Sequence, residues 1–407
     1  MHLSKTIGSM LILIGTAIGA GMLALPLISA QAGFLWSTIL LVVIWAVMTY
    51  TGLLVLEVNL AFPLQRNSFS SMAYGTLGRA GQITAWIACA ALLYSLTAAY
   101  IAGNSSLFSA AFSIFFHEQV PQRLNAILFT LILGSAVFWS TRAVDHLNRF
   151  LLTTKSVLLV IALVLLMPHV QMQLLIQQSH HAKYLWICAP IFLGAFGYHT
   201  VIPSLSNYIG PRPRRLKYII IIGATIPLFI YLCWLFAILM IVPLEGTNSF
   251  TTLAQSNGSI GDLMTIINQL IHSRWVNIAV NGFSDIAITT SFLGVSLGLF
   301  DFLADNFKRL DSRGGRAQTA LLTFVPPLVF ALFYPQGFIL ALSYAAVFVA
   351  VLEIILPVLM VWKLRNQAEF KSPYRVASNK VILALICMIG FVLIGIQIAS
   401  HFNILPH

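Results

Sequence analysis

Long apolar stretches alternate with short charged clusters along the whole chain. The first stretch has no charged residue between Lys5 and Glu57, which leaves room for two helices divided at residues 31–33. A helix that crosses the hydrocarbon core of a bilayer needs about 20 mostly apolar residues. We therefore predict 11 membrane spans. After the first two, single spans lie between Arg79 and Glu118, Arg123 and Arg142, Arg149 and Pro168, Lys183 and Arg212, Lys217 and Glu245, and Arg274 and Lys308. Two more lie between Arg316 and Arg365, divided at residues 334–337, and the last span follows Lys380.

The composition supports an all-α integral membrane protein. Of the 407 residues, 59% are hydrophobic and 8% are charged, whereas soluble domains carry about 25% charged residues. This excludes a cytosolic enzyme and a nucleic-acid-binding domain. The four cysteines lie in apolar stretches without C-x-x-C spacing, so they predict neither a metal site nor a disulfide framework. The first apolar run is longer than the about 7–15 residues of a signal peptide, and we interpret it as a membrane helix.

The basic residues predict the orientation of the chain. Of the 22 Lys and Arg residues, 19 fall in loops on the side of the N-terminus, Lys155 among them, and only Arg123, Lys183 and Arg274 fall on the other side. Cytoplasmic loops of membrane proteins carry an excess of Lys and Arg. We therefore predict a cytoplasmic N-terminus and a periplasmic C-terminus. The net charge of +11 then reflects topology and does not indicate a nucleic-acid partner.

Two spans contain a glycine-rich segment followed by proline. Residues 15–21 precede Pro26 in the first span, and residues 194–199 precede Pro203 in the sixth. Glycine lacks a Cβ and proline lacks an N–H, so both segments favour an interrupted helix. In hydrocarbon, unpaired backbone is tolerated only where it lines a cavity or is buried in protein. For either segment alone, close packing through small residues is an equally good interpretation.

The positions of the two segments favour a transporter. Gly19 and Gly197 each lie in the first helix of a set of five spans, and paired interrupted helices in two halves of a chain indicate a binding site near the bilayer midplane. We predict one transmembrane domain over residues 1–407, with an inverted 5+5 repeat. Its parts are a first repeat at about 6–168, a second at about 184–365, and an extra helix at about 380–403.

Several segments resemble one protein family. They are GTAIGAGMLALP at 15–26, LTAAYI at 96–101, NRFL at 148–151, FGYH with PS within 196–204, TSFLGVSLGLFD at 290–301, and PP with FALFYP within 326–335. Together they resemble the bacterial aromatic amino acid permeases, the hydroxy/aromatic amino acid branch of the amino acid/polyamine/organocation superfamily. The tyrosine-specific members are most similar, and the tryptophan permeases come next. Thr200 departs from this pattern, because tyrosine-specific members tend to have glycine after the histidine.

The resemblance covers nearly all of the chain and carries several expectations. It implies a LeuT-type bundle of 11 helices in a bacterial inner membrane. It also implies proton-driven symport of L-tyrosine or another aromatic amino acid, with protons and membrane lipid as the other partners. No motif implies a cofactor or an obligate protein partner.

Substrate contacts are expected from the two interrupted helices and from spans 3 and 8. A half-helix N-terminus offers N–H groups to a carboxylate, and the opposing carbonyl ends accept hydrogen bonds from an ammonium group. Aromatic side chains of the sixth span would stack on the substrate ring. Tyr94 and Thr97 lie one helical turn apart, and interhelical hydrogen bonding is their alternative role. The predicted contacts are Thr16, Ile18, Gly19, Ala20, Gly21, Tyr94, Thr97, Phe196, Tyr198 and Ser291.

Proton coupling requires a side chain whose charge changes during the cycle. Acids are costly in the membrane interior, and histidine changes its charge near neutral pH, so the candidates are Asp285, His199, Glu353 and Glu57. Asp285 comes first because Asn277, Asn281 and Thr289 continue a polar stripe at helical spacing on span 8. Sodium coupling stays open, since hydroxyl groups of span 8 hold the ion in sodium-coupled relatives.

Other functions stay open at this point. The substrate could be tryptophan or a range of aromatic amino acids, and the mechanism could be sodium symport or exchange without ions. A channel would not explain the paired interruptions. An intramembrane serine protease is the remote alternative, because residues 103–106 (GNSS) loosely resemble a G-x-S-G motif and His199 would be its base.

Overall fold

The computed structural model describes residues 2–63, 68–116, 120–139, 141–178, 181–255, 258–307, 312–366, 372–377 and 379–402. Within these ranges the chain is helical and contains no β-strand. The predicted span end at Glu118, and the predicted loop cations Arg66, Lys308, Arg309 and Lys371, lie outside the described residues. The all-α prediction is confirmed.

Seventeen α-helices follow one another in the described residues. They are α1 (His2–Ala17), α2 (Gly21–Ser29), α3 (Gly33–Ala61), α4 (Phe69–Phe116), α5 (Gln122–Trp139), α6 (Thr141–Leu166), α7 (Gln173–Gln177), α8 (Leu185–Ala195), α9 (Ile202–Ile209), α10 (Pro213–Leu239), α11 (Phe250–Gln255), α12 (Ile260–Ile271), α13 (Arg274–Asn306), α14 (Arg313–Phe333), α15 (Phe338–Val349), α16 (Leu356–Arg365) and α17 (Lys380–His401). A π-helical segment, Ala350–Ile355, joins α15 to α16, and a short 3₁₀ turn, His199–Val201, precedes α9.

Ten helical segments of the described chain are long and apolar enough to cross a membrane. The pair α1 and α2 passes the same test as a unit that bends by 48°, and counting it as one span raises the number to 11. The segments coincide with the predicted spans. The chain is therefore a multi-pass membrane protein with about ten spanning helices.

Both predicted helix interruptions are present. α1 ends at Ala17 and α2 begins at Gly21, and α8 ends at Ala195 before the 3₁₀ turn that leads into α9. We call residues 18–20 the first break and residues 196–198 the second break. The interruptions therefore occur at the two glycine-rich segments that precede Pro26 and Pro203, as the sequence pattern predicted.

Two helices begin earlier than the sequence predicted. α4 starts at Phe69 and bends at Gly78, whose φ of 74° lies in the left-handed region that favours glycine. α6 starts at Thr141, so the helix already includes Arg149, which the sequence placed at the start of span 5. The assignment of Lys155 to a cytoplasmic loop is wrong, because it lies well inside α6 and its side chain is 3% exposed.

Proline explains the π-helical segment. Pro357 has no N–H to offer the carbonyl of Glu353, four residues before it, and the preceding turn widens. In the widened turn the N–H of Leu356 bonds to the carbonyl of Val351, five residues back. The acid at position 353 therefore lies in an irregular turn of a helix that is otherwise regular.

The two breaks lie inside the bundle. α2 packs against α8, and α10 packs against both α1 and α3. α13 packs mainly against α6 and α4. Helices α5, α6, α14 and α17 are the least buried of the spans, which places them at the periphery of the described bundle.

Candidate functional site

The two breaks meet at the junction of α2 and α8. A Cβ atom on Gly21 would lie 3.7 Å from the Cα atom of Ala195. The hydroxyl group of Tyr231 on α10 lies 2.6 Å from the carbonyl oxygen of Ala17 and 2.7 Å from that of Ala195. These are the last helical residues before each break, and Tyr231 is fully buried. One phenol proton is therefore shared between the carbonyl ends of both half-helices.

Lys155 supplies a positive charge at the first break. Its Nζ atom donates a hydrogen bond of 2.7 Å to the carbonyl oxygen of Ile18. Because the helix is interrupted here, this carbonyl is outside the regular α-helical pattern, and the C-terminal end of α1 carries a partial negative charge. A buried ammonium group beside such an end is held by charge-assisted hydrogen bonding.

Ser291 on α13 completes the first break. Its hydroxyl oxygen accepts a hydrogen bond of 3.1 Å from the backbone N–H of Ala20. A Cβ atom on Gly19 would lie 3.1 Å from the same oxygen, so only a glycine allows this approach without displacement. Tyr100 on α4 is a side-chain neighbour of Ser291. The predicted contacts Ile18, Gly19, Ala20, Gly21 and Ser291 are thus brought together.

The aromatic residues of the second break are enclosed by protein. Phe196 packs edge-on against Tyr231, with ring centroids 5.1 Å apart. Tyr198 donates a hydrogen bond of 3.1 Å to the carbonyl oxygen of Met48 on α3. Its hydroxyl group comes so close to α3 that a Cβ atom on Gly52 would lie 3.0 Å from it. Both rings are fully buried, so a ligand reaches them only after a rearrangement.

An ionisable pair lies directly after the second break, where the 3₁₀ turn begins. The Nδ1 atom of His199 lies 2.6 Å from Oε2 of Glu353, which the π-helical segment contributes. The Nε2 atom of His199 lies 2.8 Å from the hydroxyl oxygen of Thr51 on α3. The sequence named His199 and Glu353 as separate candidates, and the structure shows them as one pair.

Glu57 belongs to a different structure near the end of α3. Arg365 on α16 donates two hydrogen bonds of 2.7 Å to its carboxylate. The backbone N–H of Val376 donates another, and the hydroxyl group of Ser372 bonds to the Glu57 carbonyl. Burial and, secondarily, the Glu57 carboxylate raise the pKa of Tyr374 in the same loop. Glu57 therefore joins α3, α16 and the following loop.

Comparison with known proteins decides the family. The profile of the tryptophan/tyrosine permease family matches residues 2–397. The chain belongs to this family. It is 38% identical to "Tyrosine-specific transport system 2" of Haemophilus influenzae, over 99% of this chain and 98% of the relative. It is 35% identical to "Tryptophan-specific transport protein" of Shigella flexneri, over 98% of this chain and 96% of the relative. It is 31% identical to "Low affinity tryptophan permease" of Escherichia coli, over 97% of this chain and 96% of the relative.

The family resemblance inferred from the sequence motifs is thereby confirmed. The family is one of permeases, which are transport proteins. The described contacts also give the protease alternative no support. The hydroxyl groups of Ser105 and Ser106 donate to carbonyls of their own helix, and the ring of His199 is directed at Glu353 and Thr51.

Three predicted substrate contacts of this permease have partners elsewhere. The Thr16 hydroxyl bonds to Ile12 of its own helix, and the side chain is exposed. The Thr97 hydroxyl bonds to Leu93, also in its own helix. The Tyr94 hydroxyl donates a hydrogen bond of 2.9 Å to the carbonyl oxygen of Leu322 on α14. That carbonyl lies four residues before Pro326, which has no N–H to offer it, so Tyr94 satisfies a group that the proline leaves free.

The polar stripe of span 8 is half-buried. Asn277, Asn281, Asp285 and Thr289 on α13 all have intermediate exposure. One side-chain oxygen of Asn277 and one of Asp285 are buried and make no hydrogen bond with the described residues. Asp285 is therefore not part of the pair at the second break.

Two residues at the centre of the permease were missed in the sequence. A lysine inside the apolar run of α6 was a usable signal, because a charge within a membrane span is a functional-site hypothesis by default. Tyr231 gave no signal, because it is one aromatic residue among many in an apolar helix. Its role depends on how α10 faces the ends of α1 and α8.

Proposed function

We propose that this permease imports L-tyrosine together with a proton across the bacterial inner membrane. We further propose the LeuT-type arrangement of two inverted five-helix repeats and an extra helix, with the N-terminus cytoplasmic and the C-terminus periplasmic. The observation that carries the proposal is the meeting of the two breaks, joined through the hydroxyl group of Tyr231. Paired broken helices of this kind form substrate sites in transporters with inverted repeats.

A zwitterionic amino acid suits the electrostatics of this junction. The N-terminal ends of α2 and α9 carry partial positive charge, and the C-terminal ends of α1 and α8 carry partial negative charge. We assign the substrate carboxylate to the start of α2, near Gly19, Ala20 and Gly21. The substrate ammonium group would exchange with Tyr231 at the carbonyl ends. Thr16 and Ile18 remain contacts of the same segment, with Thr16 at its exposed edge.

The aromatic part of the substrate would lie towards α8 and α4. Phe196 borders the junction through its contact with Tyr231, and Ser291 lies at the first break beside Tyr100. We assign Tyr198, Tyr94 and Thr97 mainly supporting roles, because their hydroxyl groups bond to the backbone. Relatives named as tyrosine-specific, at 38% and 36% identity, support tyrosine over tryptophan.

Lys155 supports coupling to protons rather than to sodium. A sodium ion held by span 8 hydroxyl groups would need carbonyl oxygens of the first break as further ligands. The Ile18 carbonyl is instead bonded by the Lys155 ammonium group at 2.7 Å. A second cation at this position would be repelled by the ammonium charge at short range.

Uptake by the purified permease in proteoliposomes tests the proposal. Labelled L-tyrosine is offered in sodium-free buffer, with and without an inward proton gradient, and unlabelled tyrosine, tryptophan, phenylalanine and leucine compete. We expect accumulation only with the gradient and the strongest block by tyrosine. A requirement for sodium, or transport only in exchange for preloaded amino acid, would refute proton symport. Stronger block by tryptophan would refute the tyrosine preference alone.

A further inference from the structure

Both nitrogen atoms of the His199 imidazole ring lie close to a polar side chain from another element. Nδ1 lies 2.6 Å from Oε2 of Glu353, and Nε2 lies 2.8 Å from Oγ1 of Thr51. The side chains of His199 and Glu353 are 0% and 3% exposed. The ring of Tyr198 stacks on the imidazole, with centroids 4.8 Å apart. Water has little access to this pair.

The hydrogen-bond pattern limits the protons that the pair can hold. Oγ1 of Thr51 also lies 3.1 Å from the carbonyl of Val47 and 3.2 Å from that of Met48. When Thr51 donates to one of these carbonyls, it accepts from Nε2–H. The short contact at Nδ1 then requires a further proton, either on the imidazole or on Glu353. This loaded form has no net charge.

Loss of one proton leaves a consistent second form. Nδ1–H then donates to an ionised Glu353, Nε2 has no hydrogen, and the Thr51 hydroxyl turns to donate to Nε2. The pair now carries one net negative charge. A buried charge in a membrane is costly, whereas a neutral pair is tolerated. The loaded form therefore suits the closed interior, and the unloaded form suits a state in which water reaches the second break.

The Glu57–Arg365 ion pair does not involve these groups. Glu57 lies on the same helix as Thr51, and Arg365 lies on α16. Tyr198 belongs to the break itself, and its hydroxyl group bonds to Met48. Other ionisable groups lie on the elements packed against the π-helical segment. On α17, α15, α16 and α3 they are half-buried Cys387, exposed Lys380 and His401, Tyr344 (bonded to His401), exposed Lys363 and half-buried Tyr50. On α4 they are exposed Tyr74 and Arg79, half-buried Cys89 and Tyr94, and buried Tyr100.

The pair touches the substrate junction through the second break. A Cβ atom on Gly197 would lie 3.6 Å from Oε1 of Glu353, so the carboxyl group lies against the backbone of the break. The pair also links three elements, namely α3, the second break and the π-helical segment. A π-helical turn is a common site of function within a helix.

We propose that His199 and Glu353 act as one unit that carries the coupled proton, and that the Thr51 hydroxyl switches between donor and acceptor as the proton enters and leaves. This inference rests on the proposed function and names its coupling site. Asp285 and Glu57 are then not the proton carriers. The loaded pair closes the second break around bound tyrosine, and release of the proton to the cytoplasm opens it.

Two assays on the same proteoliposomes separate coupling from substrate binding. Tyrosine counterflow, in which labelled tyrosine enters in exchange for unlabelled tyrosine inside, needs no gradient. Accumulation driven by a proton gradient needs the pair that carries the proton. One proton per zwitterion allows about 50-fold accumulation at 100 mV in the wild type. We expect Glu353→Gln to keep counterflow within about 3-fold and to lose accumulation, with a ratio near 1.

The matched control is Glu245→Gln, the same change at an exposed carboxylate in the loop between α10 and α11. It should accumulate tyrosine like the wild type. Accumulation by Glu353→Gln equal to that of this control would refute the inference while leaving the proposed function intact. Absence of gradient-driven accumulation in the wild type would refute both.

A second pair of variants decides the matter if Glu353→Gln fails in both assays. Thr51→Val keeps the His199–Glu353 contact but removes both the acceptor for Nε2–H in the loaded form and the donor to Nε2 in the unloaded form. The loss is larger for the loaded form with a protonated imidazole, because its Nε2–H donor is charged. The loaded form should then need a lower pH, and the external pH for half-maximal uptake should fall by about 0.5 unit or more, since hydrogen bonds to charged groups are the stronger ones. Thr51→Ser should restore the wild-type profile. An unchanged profile in Thr51→Val would overturn the inference.

Discussion

The two breaks look alike in the sequence and differ in how their polar groups are satisfied. The first break is held by single side chains from three other helices, namely Lys155, Ser291 and Tyr231. Directly after the second break, His199 lies against Glu353 and Thr51. A buried lysine lies at one break and a buried histidine–carboxylate pair lies beside the other. Similar glycine-rich segments can therefore support different roles, because the neighbouring helices decide which groups meet them.

Removing the charge at the first break should have the largest effect. Lys155→Met keeps an unbranched side chain and removes the ammonium group that bonds to Ile18. A hydrogen bond to a charged group contributes about 1.5–3 kcal/mol, so we expect tyrosine uptake to fall by about 10- to 100-fold. The same change at exposed Lys183, whose ammonium group lies over the ring of Tyr184, should leave uptake within about 2-fold. Equal uptake by the two variants would remove Lys155 from the site.

Separating the two breaks should have an intermediate effect. Tyr231→Phe leaves the carbonyls of Ala17 and Ala195 without their shared donor, and a buried unsatisfied group costs about 1–3 kcal/mol. We expect tyrosine uptake to fall about 5- to 10-fold, and the midpoint of thermal unfolding in detergent to fall by a few degrees. Tyr218→Phe, at an exposed position of the same helix, is the control. If both variants unfold at the same temperature and transport equally, the bridge does not hold the breaks together.

Crowding the second break should have the smallest effect. Gly52→Ala places a Cβ atom 3.0 Å from the Tyr198 hydroxyl group and 3.1 Å from its ring. Overpacking of this kind costs about 1–3 kcal/mol, and part of it should be recovered by adding Tyr198→Phe, since the two sites are in contact. The midpoint of thermal unfolding measures both the loss in Gly52→Ala and the recovery in the double variant. Gly395→Ala on α17, where no atom lies within 4 Å, should be neutral or slightly stabilising. A Gly52→Ala variant as stable as Gly395→Ala would contradict the close approach seen here.

Several predictions from the sequence depend only on local composition. The spans follow from apolar length, and both breaks follow from glycine and proline at particular positions. One assignment was wrong, and for another residue the structure shows the alternative role that the sequence had left open. Lys155 resembled the other loop cations, and only the early start of α6 showed that it lies inside the bundle. Tyr94 shares a face with Thr97, but the structure gives its hydroxyl group a carbonyl partner beside Pro326.

The sequence by itself determined the class of protein, the approximate spans, the family motifs and the places where helices break. These features are set within about 20 consecutive residues by hydrophobicity and backbone chemistry. Only the tertiary structure decided that Lys155 reaches Ile18, that Tyr231 joins both breaks and that His199 meets Glu353. Lys155 and Ile18 are 137 residues apart, and His199 and Glu353 are 154 residues apart. Tyr231 is 214 residues from Ala17 and 36 residues from Ala195. Such contacts depend on the rotation and tilt of whole helices, which no single span encodes.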